Sequence, residues 1–269
     1  MRNDRLTRAI APAELTPPSR RLLSFFRLYL VWYVRRHFHG VRLANASRFP
    51  SASTLVVYMN HPSWWDPITT MLLSHHLRPE ADHYGPMDAK ALERYGLFRR
   101  MGAFPVAAGR AEGVAQFLGS ARLVLERGGV LWITPEGRFT DNRVRPVTFK
   151  SGLSHLISQM GRITLLPIAL EYTYWDERLP EILVNCGEPL HIADGRAEEA
   201  RTWNNLMAYA MTSTEEELAH LAATRKAENF STVLSGSSGI GGMYEYWKRL
   251  QAALLGAKYE SEHGSIHKS

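Results

Sequence analysis

The 269-residue chain is 45% hydrophobic, enough to bury a sizeable core as one domain with appendages, and its single cysteine, Cys186, excludes an internal disulfide framework and suits a reducing compartment. The formal charge of +6 is unevenly spread: residues 1–50 hold ten Arg against two acids, or +8, so the rest of the chain sums to −2. The basic signal therefore belongs to the N-terminus, and charge alone does not choose between nucleic acid and an anionic membrane as its partner.

Residues 1–19 are polar and end in Thr-Pro-Pro-Ser, a flexible lead-in. From Arg20 to Phe38 the spacing predicts a helix with Leu22, Leu23, Phe26, Tyr29, Leu30, Tyr33 and Val34 on one face, opposite Ser24, Arg27 and Arg35. Its apolar run, Leu28 to Val34, is far shorter than the ~20 residues that span a bilayer. The pattern reads as an interfacial helix, with Tyr29, Trp32 and Arg35-Arg36 at headgroup depth; a helix docked on the domain fits the same residues. Ala44-Asn45-Ala46 imitates a signal-peptidase site, but Arg27 interrupts the apolar stretch and Arg35-Arg36-His37 separates it from that site.

Leu55 to Met59 read as a short buried strand, stopped by Asn60-His61-Pro62-Ser63-Trp64-Trp65-Asp66-Pro67. Pro67 suits the start of a helix that Asp66 would cap. The turn places His61 beside Asp66. An imidazole takes a proton from a hydroxyl near neutrality, and a carboxylate on its other nitrogen fixes the tautomer and stabilises the imidazolium. A bare turn followed by a helix cap accounts for the same residues.

Ile68, Met71, Leu72 and Leu73 predict a helix ending near His76. His75 and His76 are adjacent, so they do not face one metal as an i, i+4 pair would, and no dedicated metal site is expected. A strand at His83-Tyr84-Gly85, a helix start at Lys90-Ala91-Leu92 and a strand over Gly102 to Val106 lead to Arg110. Val114, Phe117, Leu118, Ala121 and Leu125 give a helix closed by Gly128-Gly129. Val130 to Thr134 form a strand running into Pro135-Glu136-Gly137-Arg138-Phe139-Thr140. A helix opened by Lys150-Ser151-Gly152, strands over Ile163 to Leu170 and Ile182 to Val184, and a helical stretch across 196–229 follow. Gly236 to Gly242 is glycine-rich without the preceding strand that a dinucleotide fingerprint needs and reads as a linker. Met243 to Leu255 form an amphipathic helix, and the polar tail after Gly256 reads as disordered.

Asn60-His61 with Asp66 resembles the His-x4-Asp signature of the glycerolipid O-acyltransferases, typified by the lysophosphatidate acyltransferases. Further pieces follow in that family's order. The stretch from Lys90 to Arg110 resembles its second motif, although Ala107-Ala108-Gly109 sets Arg110 unusually far from the strand. Pro135-Glu136-Gly137-Arg138 resembles the third, usually Pro-Glu-Gly-Thr-Arg-Ser, with the Arg one place early and the Thr missing. Leu165 to Leu170 resembles the apolar fourth. The resemblance spans roughly 54–190 and implies roles residue by residue: His61 as general base, Asp66 orienting it, Lys90 and Arg110 on the acceptor's phosphate, Glu136 and Gly137 at its glycerol-phosphate end, and Arg138 as a further substrate-binding residue. It implies transfer of a fatty acyl group from acyl-CoA or acyl carrier protein to a lysophospholipid hydroxyl, with no cofactor.

Alternating strands and helices imply an α/β fold with a mostly parallel or mixed central sheet flanked by helices. The expected division is a basic lead-in and interfacial helix over 1–40, the acyltransferase domain over 41–230, and linker, terminal helix and tail over 231–269. The expected setting is peripheral or monotopic on the cytoplasmic face of the cell membrane, against anionic lipid rather than nucleic acid. Two alternatives stay open: the same chemistry on an ornithine lipid or glycosylated carotenoid, and a non-catalytic basic protein that binds membrane or nucleic acid.

Overall fold

A computed structural model describes residues 15–107, 109 and 111–236. In chain order the elements are α1 (Arg20–His37), β1 (Gly40–Ala44), β2 (Leu55–Met59), α2 (Asp66–Leu77), β3 (His83–Asp88), α3 (Ala89–Arg94), β4 (Ala103–Val106), α4 (Ala111–Glu126), β5 (Val130–Ile133), α5 (Gly152–Ile157), β6 (Ile163–Thr173), β7 (Glu181–Cys186), β8 (Leu190–Ile192), α6 (Ala200–Ala223) and β9 (Ser231–Ser235). The strands lie in the order β4-β3-β5-β2-β6-β7-β1-β9, with β8 paired to β6. From β4 through β6 the neighbours are parallel; β6 to β7 is antiparallel, β7 to β1 parallel and β1 to β9 antiparallel. Parallel neighbours need long crossovers, which α2, α3 and α4 supply.

Both faces of the sheet are covered, so its strands are apolar throughout rather than alternating. In β2 the period of two sends Val56 and Tyr58 into a core shared with α4, α5 and α6. Leu55, Val57 and Met59 enter the opposite core, under α1 and α2. Cys186 is buried at the end of β7, where burial pushes its thiol up to about 12, so it is an inert packing residue.

Helix α1 docks on that second core through Leu30 and Val34, with Phe26 and Val31 packed beside them. Most of the expected face turns toward the domain: Leu22, Leu23, Phe26 and Tyr33 are half-buried and Leu30 and Val34 buried, whereas Ser24, Arg27 and Arg35 are exposed. Tyr29 departs from that face and is exposed, and Leu23, Ser24, Arg27 and Leu30 line a partly open cavity. Residues 20–37 thus pack against the sheet through one face of the helix.

At the C-terminal end the sheet gains a further strand. Residues 231–235, expected to open a linker, form the edge strand β9 against β1. Their single Val-Leu pair is too short an apolar run to announce a strand. The expected terminal helix and tail, and residues 1–14 of the lead-in, lie outside the described residues.

Candidate active site

In a parallel sheet the carboxyl ends of neighbouring strands lie together. The register pairs Tyr58 of β2 with Ile133 of β5 and with Pro167 of β6, so the turns after β2 and β5 emerge side by side. Asn60 continues the β2–β6 ladder with its side chain: Oδ1 accepts from Leu170 N at 2.8 Å and Nδ2 donates to Leu170 O at 3.0 Å. His61 N then donates to Glu136 Oε2 at 2.7 Å, and Thr140 N donates to His61 O at 3.0 Å. The Pro-Glu-Gly turn thus grips both backbone groups of His61.

The His61 ring meets Asp66 through Nδ1 and Oδ2, 2.6 Å apart, with the His side chain 20% and the Asp side chain 1% exposed. This leaves Nε2 as the ring nitrogen for a substrate hydroxyl. Asp66 is the first residue of α2, but it does not cap that helix, contrary to expectation; the N-cap is Trp65, without a side-chain cap bond. Its carboxylate is otherwise committed. Ser63 N donates to Oδ2 at 3.1 Å, and the Tyr172 hydroxyl donates to Oδ1 at 2.7 Å. Tyr172 also lies 3.1 Å from Thr69 Oγ1, and burial followed by the charge of Asp66 holds its phenol well above the usual range. The phenol therefore stays protonated, and its hydroxyl donates to Asp66.

Burial raises the Glu136 carboxyl, and the His61 N–H is the largest influence opposing the rise. Gly137 sits at φ +61°, in the left-handed region that favours glycine, and a Cβ there would only displace the flexible Lys150 side chain. Lys150 Nζ donates to Gly137 O at 3.2 Å. Arg138 is exposed next to this turn, and Phe139, 61% exposed, lays its ring 4.4 Å from the His61 ring. Lys90 is exposed in the first turn of α3 and is not among the residues lining the cavity, so it is not gathered with the dyad. Arg110 lies outside the described residues.

His61, Asp66 and Pro67 form part of the wall of a mostly apolar cavity of about 550 Å³, which runs between α1 and α2 to Tyr84, Met87 and Trp132. Sequence reasoning missed Tyr172, Phe139 and Asn142. Tyr172 has a signal, since Glu171-Tyr172-Thr173 prolongs the β pattern of Ile163 to Leu170, and β6 indeed continues through it. Nothing in the spacing ties it to Asp66.

Residues 40–171 match the family model described as Acyltransferase. This segment, most of the described α/β domain, belongs to the Acyltransferase family. This acyltransferase is similar in fold to the crystal structure of the 1-acyl-sn-glycerophosphate (LPA) acyltransferase PlsC from Thermotoga maritima. The two are 16% identical, the match covers 76% of this chain and 79% of that one, and the TM-score is 0.52. Among curated proteins, none matches the acyltransferase. Among its described residues, no helix is long and apolar enough to cross a membrane.

Proposed function

We propose that the enzyme transfers a fatty acyl group from acyl-CoA or acyl carrier protein to the hydroxyl of a lysophospholipid such as lysophosphatidate. The observation that carries this reading is the His61–Asp66 pair, 2.6 Å apart, opening on an apolar cavity of about 550 Å³ that suits a hydrocarbon chain. His61 Nε2 takes the hydroxyl proton as that oxygen attacks the thioester carbonyl carbon. The C–S bond then breaks, and the leaving thiolate recovers the proton from the imidazolium. Asp66 stabilises that imidazolium. Only a proton and an acyl group move, so neither a metal nor a redox cofactor is needed. Incubating the purified protein with labelled acyl-CoA or acyl carrier protein and a panel of lysolipids tests the reading, and transfer to none of them defeats it.

Phe139 favours a second acceptor class, an ornithine lipid or glycosylated carotenoid, because an aromatic ring rather than a cation lies against His61. Arg138 separates the two. If it holds a phosphate, Arg138→Ala loses about 1.5–3 kcal/mol, raising the acceptor KM ~10- to 100-fold without moving the acyl-donor KM. An unchanged acceptor KM supports the acceptor without phosphate.

A lysolipid acceptor places the enzyme at a membrane, here read as the cytoplasmic face. Phe25, Leu28 and Trp32 are 72%, 67% and 58% exposed on α1, and Arg21 and Arg36 are exposed on the same helix. Burying each large apolar side chain contributes about 1.5–3 kcal/mol, and each Arg near anionic lipid about 1 kcal/mol. Removing the helix would strip Leu30 and Val34 from the core, so the informative change is on its surface. Joint replacement of Phe25, Leu28 and Trp32 by Ser should abolish co-sedimentation with anionic vesicles, while high salt weakens wild-type binding only in part. Undiminished binding by the triple variant rules this surface out.

A further inference from the structure

A buried acid of α6 stands close to the catalytic turn without a part in the chemistry above. Glu215, in α6, is 6% exposed, and its Oε2 has no hydrogen-bond partner. Arg145 Nη1 stands 3.0 Å from that oxygen, so their contact is one of charge rather than a directed hydrogen bond. Arg145 lies between β5 and α5 in the segment 134–151, which also carries Glu136, Phe139 and Asn142. There its Nη1 donates to Asn142 O at 2.7 Å and Val144 O at 2.9 Å. Asn142 in turn donates from Nδ2 to Leu170 O at 2.7 Å and accepts from Asn60 Nδ2 at 3.1 Å. A continuous run of contacts therefore links Glu215 to Asn60, the residue before His61, through the same segment whose Glu136 holds His61 N.

We propose that Glu215 is a positioning residue for acyl transfer: through Arg145 and Asn142 its carboxylate holds the 134–151 segment in the arrangement that fixes His61. The proposal rests on the acyl-transfer reading for its kinetic consequences, and on packing alone for the clamp itself.

The charges around Glu215 make its role separable from a structural one. Burial pushes its carboxyl up to about 7; Arg145 and Asn60 oppose the rise, and Glu136 and Glu216 add to it. Glu136 is faced in turn by His61 and Arg138. With the folded value raised above the ordinary 4.5, the stability contributed is complete below 4.5 and is lost as pH rises through about 7. The ionised form that holds Arg145 is thus the less stable form of the folded chain. A group kept for stability would give the opposite balance.

Glu215→Gln should therefore unfold at a temperature no lower than wild type when compared well above the Glu215 ionisation, yet turn over more slowly. The expected loss in kcat is on the order of 10-fold, inside the ~10² that misplacing a reacting group costs. The acyl-donor KM should stay put, and an acid-side step in the wild-type kcat profile near the Glu215 ionisation should vanish. Arg145→Lys should recover part of the rate that Arg145→Met loses. Hydrogen–deuterium exchange across 134–151 should quicken in Glu215→Gln, a readout that needs no turnover. Unchanged exchange there overturns the clamp even if wild type transfers no acyl group, whereas absent wild-type transfer alone condemns only the acyl-transfer reading. A kcat loss matched by a fall in unfolding temperature, or an unaltered pH profile, also overturns the proposal.

Discussion

His61→Ala should lower the rate of acyl transfer by about 10²–10⁴-fold, the contribution of a general base, and leave a folded protein. The contacts that place this residue belong to its backbone: Glu136 Oε2 accepts from His61 N at 2.7 Å, and Thr140 N donates to its carbonyl at 3.0 Å. Both survive truncation at Cβ. Asp66 also keeps Ser63 N and the Tyr172 hydroxyl as donors after the imidazole is gone. The turn therefore stays built while the proton acceptor disappears. Thiol release from the acyl donor, measured together with the thermal transition, checks both halves. A variant retaining more than about a tenth of the wild-type rate loses less than a general base contributes, and His61 would then have another role.

How much of this was legible in the sequence depends on whether the information is local. The β2 strand, its abrupt polar stop and the pairing of His61 with Asp66 lie within a dozen residues, where periodicity and turn chemistry are strong. The role of Asp66 was half legible. Asp before Pro at a helix start reads as a cap, and only the folded chain reveals that Ser63 N, His61 Nδ1 and the Tyr172 hydroxyl have claimed its oxygens. Tyr172, Asn142 and Glu215 were invisible because they reach the catalytic turn through sheet register and helix packing, which no spacing encodes. The same holds for β9, whose place in the sheet comes from β1 rather than from its own weak pattern. The amphipathic stripe of α1, read from local periodicity, faces the domain except at Tyr29, which is 48% exposed.

The Asp66→Asn variant asks what Asp66 does for His61. In a triad where the amide turns its nitrogen toward the imidazole, the wrong tautomer results and the rate falls ~10⁴-fold. Here the neighbours dictate the orientation. The oxygen facing His61 Nδ1 also accepts from Ser63 N at 3.1 Å, so an amide nitrogen placed there would meet a second donor. Turned the other way, it faces the Tyr172 hydroxyl, whose oxygen accepts while its proton goes to Thr69 Oγ1, 3.1 Å away. The introduced amide would therefore keep its oxygen on His61 and preserve the tautomer. What the substitution removes is the negative charge facing the imidazolium, and a charge-assisted hydrogen bond of this kind contributes about 1.5–3 kcal/mol. The expected loss is ~10- to 100-fold in kcat, well short of the tautomer penalty, with the acceptor KM little changed. Adding Tyr172→Phe frees the amide to rotate, so the double variant should fall further than the product of the two single effects. A loss near 10⁴ in Asp66→Asn alone would mean that Ser63 does not govern the orientation. Wild-type turnover would leave Asp66 a structural anchor for the turn and no partner in the chemistry.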